Sequence, residues 1–218
     1  LAKMVVNAVL SITEEKDGSY RANISNVKVE KKTGGSISDS HLINGIVLDK
    51  EVVNNNMPKK INNAKIALIS APLEIEKTEF EAKINISNPN QIKSFMEEEN
   101  QILKEMVEKI KNTGANVVLC QKGIDDIVQH YLAKAGIMAV RRIRESDMTK
   151  LAKATGTRVV GNVDDLTEKD LGLAQNVEEK QIEDDNRTYI EDCKNPKAVT
   201  VLIRGGSQDR KSTRLNSS

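Results

Sequence analysis

The sequence predicts an α/β fold built on a largely parallel sheet and extended by a long helical excursion. Three observations carry this prediction. From Lys65 onward short apolar runs alternate with amphipathic helical stretches, the order expected of strands whose crossovers cover both faces of a sheet. Between the first two of these runs lies a 73–114 excursion whose later half has the period of one long helix. Ahead of Lys65 the pattern is different, a helix followed by an extended stretch.

Leu1, Met4, Val5, Ala8, Val9 and Ile12 fall on one helical face. No capping residue and no initiator Met precede them, so the chain is expected to begin inside a helix of a longer protein. Asp17-Gly18 marks a turn, and residues 20–30 are expected to be extended, although Ala22, Ile24, Val27 and Val29 alternate only in part. The run Lys31-Lys32-Thr33-Gly34-Gly35-Ser36 predicts a loop.

The core strands are expected at Ile66-Ala67-Leu68-Ile69, Val117-Val118-Leu119-Cys120, Ile137-Met138-Ala139-Val140 and Val159-Val160. One intervening helix sets Ile124, Ile127, Val128, Tyr131, Leu132 and Ala135 on its inner face. Another opens at Ser146-Asp147 with Met148, Leu151, Ala152 and Thr155 inward. Residues 177–193 predict a β-hairpin outside the parallel core, turned at Asp184-Asp185-Asn186. Residues 198–203 form a last apolar strand ending at Arg204-Gly205-Gly206, and 208–218 are polar, patternless and expected to be disordered or foreign to the fold.

In the excursion, Asn88 is suited to cap a helix and Pro89 to its first position. Ile92, Phe95, Met96, Ile102, Leu103, Met106, Val107 and Ile110 share a face that Glu99 interrupts. About 22 helical residues reach on the order of 33 Å, roughly the width of a small domain. By periodicity alone the whole stripe reads as core, since most amphipathic helices simply pack. If the helix outruns its core, Phe95 and Met96 are left as an exposed apolar patch of the kind that marks binding surfaces.

Composition excludes more than it assigns. With 38% hydrophobic and 30% charged residues, the 218-residue chain can bury a sizeable core, and it has no apolar run long enough for a bilayer span. The first residues lack the pattern of a secretory signal, so the expected location is cytoplasmic. The net charge of +1 gives no general attraction to nucleic acid or membranes. Without Trp, and with two Phe and three Tyr, aliphatic side chains must fill the core. Cys120 and Cys193 are too few for a disulfide framework and read as reduced and structural.

Chemistry-bearing patterns are weak throughout. Gly34-Gly35 and Gly205-Gly206 lack the Lys-Ser/Thr of a phosphate cradle, and His41 and His130 have no ligand partner at metal-binding spacing. The acid pairs Asp125-Asp126, Asp164-Asp165 and Asp184-Asp185 fall at a helix start and in turns, where dipole or turn roles suffice. Arg141-Arg142-Ile143-Arg144 lies among acidic residues and reads as a salt-bridged edge rather than a phosphate contact. No catalytic or metal-ligating residue is assigned. An independent α/β enzyme or small-ligand domain using the acid pairs stays as the alternative, and it requires a concave polar site at the strand ends.

One stretch carries a resemblance. Gly114-Ala115-Asn116-Val117-Val118-Leu119-Cys120-Gln121-Lys122-Gly123-Ile124-Asp125-Asp126, followed by Gln129-His130-Tyr131-Leu132-Ala133-Lys134-Ala135-Gly136, resembles the apical-domain core of group II chaperonins of the archaeal thermosome type. Collinear stretches agree: Gly45-Ile46-Val47-Leu48-Asp49-Lys50, Asn63-Ala64-Lys65-Ile66-Ala67-Leu68, Ala139-Val140-Arg141-Arg142, Lys150-Leu151-Ala152-Lys153-Ala154-Thr155-Gly156, Cys193-Lys194-Asn195-Pro196-Lys197-Ala198 and Leu202-Ile203-Arg204-Gly205-Gly206. The resemblance runs from Leu1 to Ser207.

It implies a chaperone fragment in which 1–44 and 199–207 are two passes of the intermediate domain and 45–198 is the apical domain. Within the latter, 79–110 would be a helical protrusion serving as a built-in lid. It implies unfolded client proteins and other subunits of a double ring as partners. It further implies client contacts on the helix around Asp126, Gln129, His130 and Lys134 and on loop 71–78 at Leu73 and Glu74. Ile92, Phe95 and Met96 become lid contacts. ATP and Mg would belong to the intact parent subunit, with no cofactor, no ATP hydrolysis, no nucleic acid and no membrane for this stretch.

Overall fold

A computed structural model describes residues 2–75, 89–182, 185–193 and 196–205. The α/β architecture is as the sequence predicts, arranged around two principal sheets.

The smaller unit opens with helix α1 (Ala2–Ser11), a hairpin of β1 (Thr13–Lys16) and β2 (Ser19–Ala22), then strands β3 (Val27–Thr33) and β4 (His41–Ile43). The continuous strand expected over 20–30 is interrupted. Asn23 accepts a hydrogen bond from the Ser25 amide and caps a 3-10 turn at Ile24–Asn26, a local bond that competes with strand pairing. The last strand, β11 (Val199–Gly205), returns to the centre of this unit, parallel to β3 and antiparallel to β4. Only one edge of α1 packs on it, through Ala8, joined by Ile12 just past the helix end, against Val199 and Val201. Val5 and Val9, expected on the buried face, stay exposed because a three-stranded sheet is too narrow to cover them.

The larger unit begins at β5 (Ile46–Leu48) and β6 (Lys60–Ile69). Helix α2 (Pro89–Asn112), β7 (Val117–Cys120), α3 (Asp126–Lys134), β8 (Met138–Val140) and α4 (Glu145–Thr155) follow. The hairpin of β9 (Gly172–Ile182) and β10 (Asp185–Glu191) completes it. The sheet order is β5-β10-β9-β6-β7-β8. β6, β7 and β8 are parallel, and all four residues of β7 are buried because helices cover both faces.

The hairpin expected outside the parallel core is instead part of this sheet, since β9 runs antiparallel along β6 from Lys60 to Ile66. β6 is ten residues long and β7 only four, so the leading half of β6 would be an unpaired edge without β9. Val159-Val160 contributes a single bridge, Val160 to Ile69, rather than a strand. α4 starts at Glu145, just before the expected Ser146, without a side-chain cap, and Gly156 closes it in the left-handed conformation at φ 74°.

One aliphatic core spans the larger sheet, with Ile66, Leu68, Leu119, Leu132, Met138 and Leu151 among its fully buried members. Between the two sheets Ile43, Val47, Tyr189 and Leu202 form a separate apolar junction.

Candidate functional site

β6 and β7 end side by side, and the chain leaving each is held against the other. The Leu73 amide donates to Gly123 O at 3.0 Å, and the Asp125 amide donates to Leu73 O at 2.9 Å. This parallel bridge fixes the loop after β6 against the start of α3. Leu73 itself is completely buried, so its expected place on a binding surface is corrected: an apolar side chain at the pinned centre of the bridge packs inward. Glu74 is exposed beside it, with its carboxylate lying over Gly123 where a Cβ would stand.

α3 starts cleanly because the Asp125 carboxylate accepts from the Ile127 amide at 2.8 Å. Asp126 in the first turn and Lys134 in the last complement the helix dipole. Val128, Gln129 and Leu132 face the core. Gln129, expected off the apolar face, is 5% exposed, and its amide Nε2 donates to Ile124 O at 2.8 Å and to Asp126 Oδ1 at 3.0 Å. Burying a primary amide is tolerated because these acceptors satisfy both its N–H groups.

The outer face of α3 is therefore Asp126, Ile127, His130 and Lys134, one stripe at helical spacing. His130 stands edge-on to half-buried Tyr131 at 5.9 Å. Ile127, assigned to the inner face by periodicity, is 37% exposed. With Glu74 alongside, this surface mixes both charges with apolar area and one aromatic pair, a composition that suits weak contact with varied chains rather than one shaped ligand.

α2 supplies the neighbouring surface. At 24 residues it is about 36 Å long, and only its second half is anchored, through Leu103, Val107 and Ile110 in the core. Phe95 and Met96 are exposed in the outer half, as is Ile102 nearer the middle. The reading of the whole stripe as core thus fails at Phe95 and Met96, where the helix outruns its core, while Ile92's side chain lies outside the described residues. Ile102, placed in the buried stripe by the sequence, instead borders a cleft of about 180 Å³ shared with Ala71, Pro72 and Met106. The helical period misses this because it records which face a residue is on, not how far the partner surface extends.

The alternative enzymatic reading requires a polar concavity at the strand ends. One exists, about 550 Å³ in volume and lined by Ser70, Gln121, Lys122, Glu145 and Thr149. It holds a single carboxylate and none of the acid pairs. Asp125 caps α3, Asp126 bonds Gln129, and Asp164 pairs with Lys109; Asp184 lies outside the described residues. No group of three or more His, Cys, Asp or Glu side chains among the described residues is placed to hold a metal ion. Burial pushes the Cys120 thiol up to about 11 and the Cys193 thiol to about 12, so neither is an activated nucleophile. Among the described residues no helix is long and apolar enough to cross a membrane.

Comparison with known proteins agrees with this arrangement. The TCP-1/cpn60 chaperonin family model matches residues 1–212, extending past Ser207. A thermosome subunit of Pyrococcus horikoshii is 58% identical over 208 residues, covering 95% of this chain and 38% of that protein. Thermosome subunit alpha of Thermoplasma acidophilum is 58% identical over 207 residues with the same coverage of each. The open-state monomer of a group II chaperonin from Methanococcoides burtonii superposes with a TM-score of 0.76 at 43% identity, over 95% of this chain and 46% of that one. The chain spans less than half the length of each of these relatives. Matched along nearly its whole length in sequence and in fold, the chain belongs to the TCP-1/cpn60 chaperonin family.

Proposed function

We propose that this stretch is the polypeptide-binding part of a group II chaperonin subunit, in which the larger unit (45–198) is the apical domain and the smaller one (1–44 with 199–207) belongs to the intermediate domain. The observation that carries the reading is the pairing of an anchored helix, α3, whose outer stripe is chemically mixed, with α2, whose outer half leaves Phe95 and Met96 exposed. Non-native clients expose scattered apolar and charged groups, and such a surface meets them by many weak contacts.

In this proposal Asp126, His130, Lys134 and Glu74 touch clients, and Ile127 joins them. Gln129 and Leu73 act from within, holding the helix and the loop in place. The outer part of α2, with Phe95, Met96 and Ile92, belongs to a protrusion over 79–110 that covers the folding chamber. ATP with Mg would bind elsewhere in the parent subunit and drive the cycle of a cytoplasmic double ring, so this stretch by itself is not an enzyme.

The test is aggregation of a denatured client followed by light scattering, with the chain at stoichiometric amounts and no ATP. Suppression that weakens in a His130→Ala/Lys134→Ala variant of unchanged melting temperature is the expected result. Equal suppression by parent and variant would remove these side chains from the client surface, and absence of suppression by the folded chain in both would overturn binding by this stretch alone.

A further inference from the structure

Among the described residues the polypeptide passes between the two sheets twice, at Asn44-Gly45 from β4 to β5 and between β10 and β11. Two units joined by two strands are free by default to swing about that joint. The apolar junction of Ile43, Val47, Tyr189 and Leu202 opposes separation, but aliphatic contact is non-directional and permits sliding. What sits beside it is directional.

Lys28 on β3 is largely buried, with its side chain 12% exposed, and its ammonium has three donors for three acceptors. These are Asp147 Oδ1 at 3.1 Å on α4, Glu30 Oε1 at 3.2 Å on β3 and Val47 O at 2.7 Å on β5. Glu30 in turn accepts from Arg187 Nη1 on β10 at 3.1 Å. Asp147 and Arg187 are also shielded, at 7% and 15% exposure. Beside this cluster Lys153 on α4 donates to the buried Asn26 at 2.8 Å. Two acids and two bases from both units thus interlock away from water, and a relative shift of a few ångströms would strand Asp147 and Arg187 without their partners and leave Lys28 and Glu30 only each other.

We infer that the Lys28, Asp147, Glu30 and Arg187 cluster is a latch that fixes the register of the two units, so that they move as one body and part only when it is broken. Under the proposed function, a displacement imposed on the smaller unit would then be delivered undamped to the α3 surface. That consequence rests on the chaperonin reading, whereas the latch itself does not.

The experiment is a distance measurement between spin labels on Asn7→Cys in α1 and Lys104→Cys in the anchored half of α2, made on the chain itself. A second pair within the larger unit, Lys104→Cys with Lys134→Cys, reports whether that unit stays folded. Expected is one narrow distance across the junction in the parent, broadened or split in Lys28→Met and in Asp147→Asn/Glu30→Gln. The distance within the larger unit should stay unchanged. Removing an exposed pair by Asp164→Asn should leave both distances as they were. A broad distribution in the parent, or an unaltered narrow one in both latch variants, would overturn the inference. Loss of the internal distance as well would also count against it, because the cluster would then be a general stabiliser and not a latch.

Discussion

Gln129 and Asp126 are bonded side chain to side chain across one turn of α3, the amide donating to the carboxylate at 3.0 Å while the same nitrogen reaches Ile124 O at 2.8 Å. One is buried and the other exposed, so the bond ties the client-facing stripe proposed here to the interior. Gln129→Ala leaves a buried carbonyl short of a partner and opens space. It is expected to lower the unfolding free energy by about 1–3 kcal/mol in urea titration. His130→Ala, at an exposed position, should stay within about 0.5 kcal/mol of the parent.

Two glycines are predicted to answer very differently to alanine. At Gly45 a Cβ would lie 1.9 Å from Ile190 O, a backbone atom of the paired strand β10, which cannot step aside without moving the sheet. At Gly123 the obstacle is Glu74 Oε1 at 1.8 Å, the free end of a flexible side chain. Gly45→Ala should cost at least about 2 kcal/mol, whereas Gly123→Ala should cost under about 1 kcal/mol and simply displace Glu74. Thermal unfolding of the two variants in parallel checks the contrast.

The thiols give a prediction in pH. Burial holds Cys120 and Cys193 in the neutral form up to about 11 and about 12, so the reactive thiolate is scarce at pH 8. Both should resist a thiol-specific reagent in the folded chain and react together, at ordinary rates, once it is unfolded in urea. Rapid labelling of either cysteine under native conditions would contradict the burial described here.

Asp170 gives a second. Its carboxylate is bonded by the Arg158 guanidinium and by the Thr167 hydroxyl and amide, which holds it well below the usual carboxylate range. A depressed folded value means the contribution is full above about pH 4, where the unfolded carboxylate is already ionised. It disappears as the pH falls through the folded value. Asp170→Asn should therefore melt below the parent at pH 7, with the gap narrowing steadily as the pH falls below about 4, read from melting temperature against pH.

The sequence by itself determined the α/β class, the apolar strands β6, β7 and β8 and the existence of the α2, α3 and α4 helices. These follow from apolar period and from local signals such as the Asp125-Asp126 pair at the start of α3, which act within a few residues. It also carried the collinear motifs that place the chain in its family. Only the tertiary structure decided what depends on distant partners. The β9–β10 hairpin joined the main sheet because β6 outruns β7, and Leu73 turned inward because Gly123 and Asp125 pin its backbone. Gln129 went inside and Ile127 outside because a helical face of roughly 100° has edges whose burial is set by the neighbouring surface and not by the helix. The Lys28 cluster was invisible for the same reason: Asp147 and Arg187 stand far from Lys28 and Glu30 in sequence, and charge alternation along β3 looks the same whether its partners are water or Asp147.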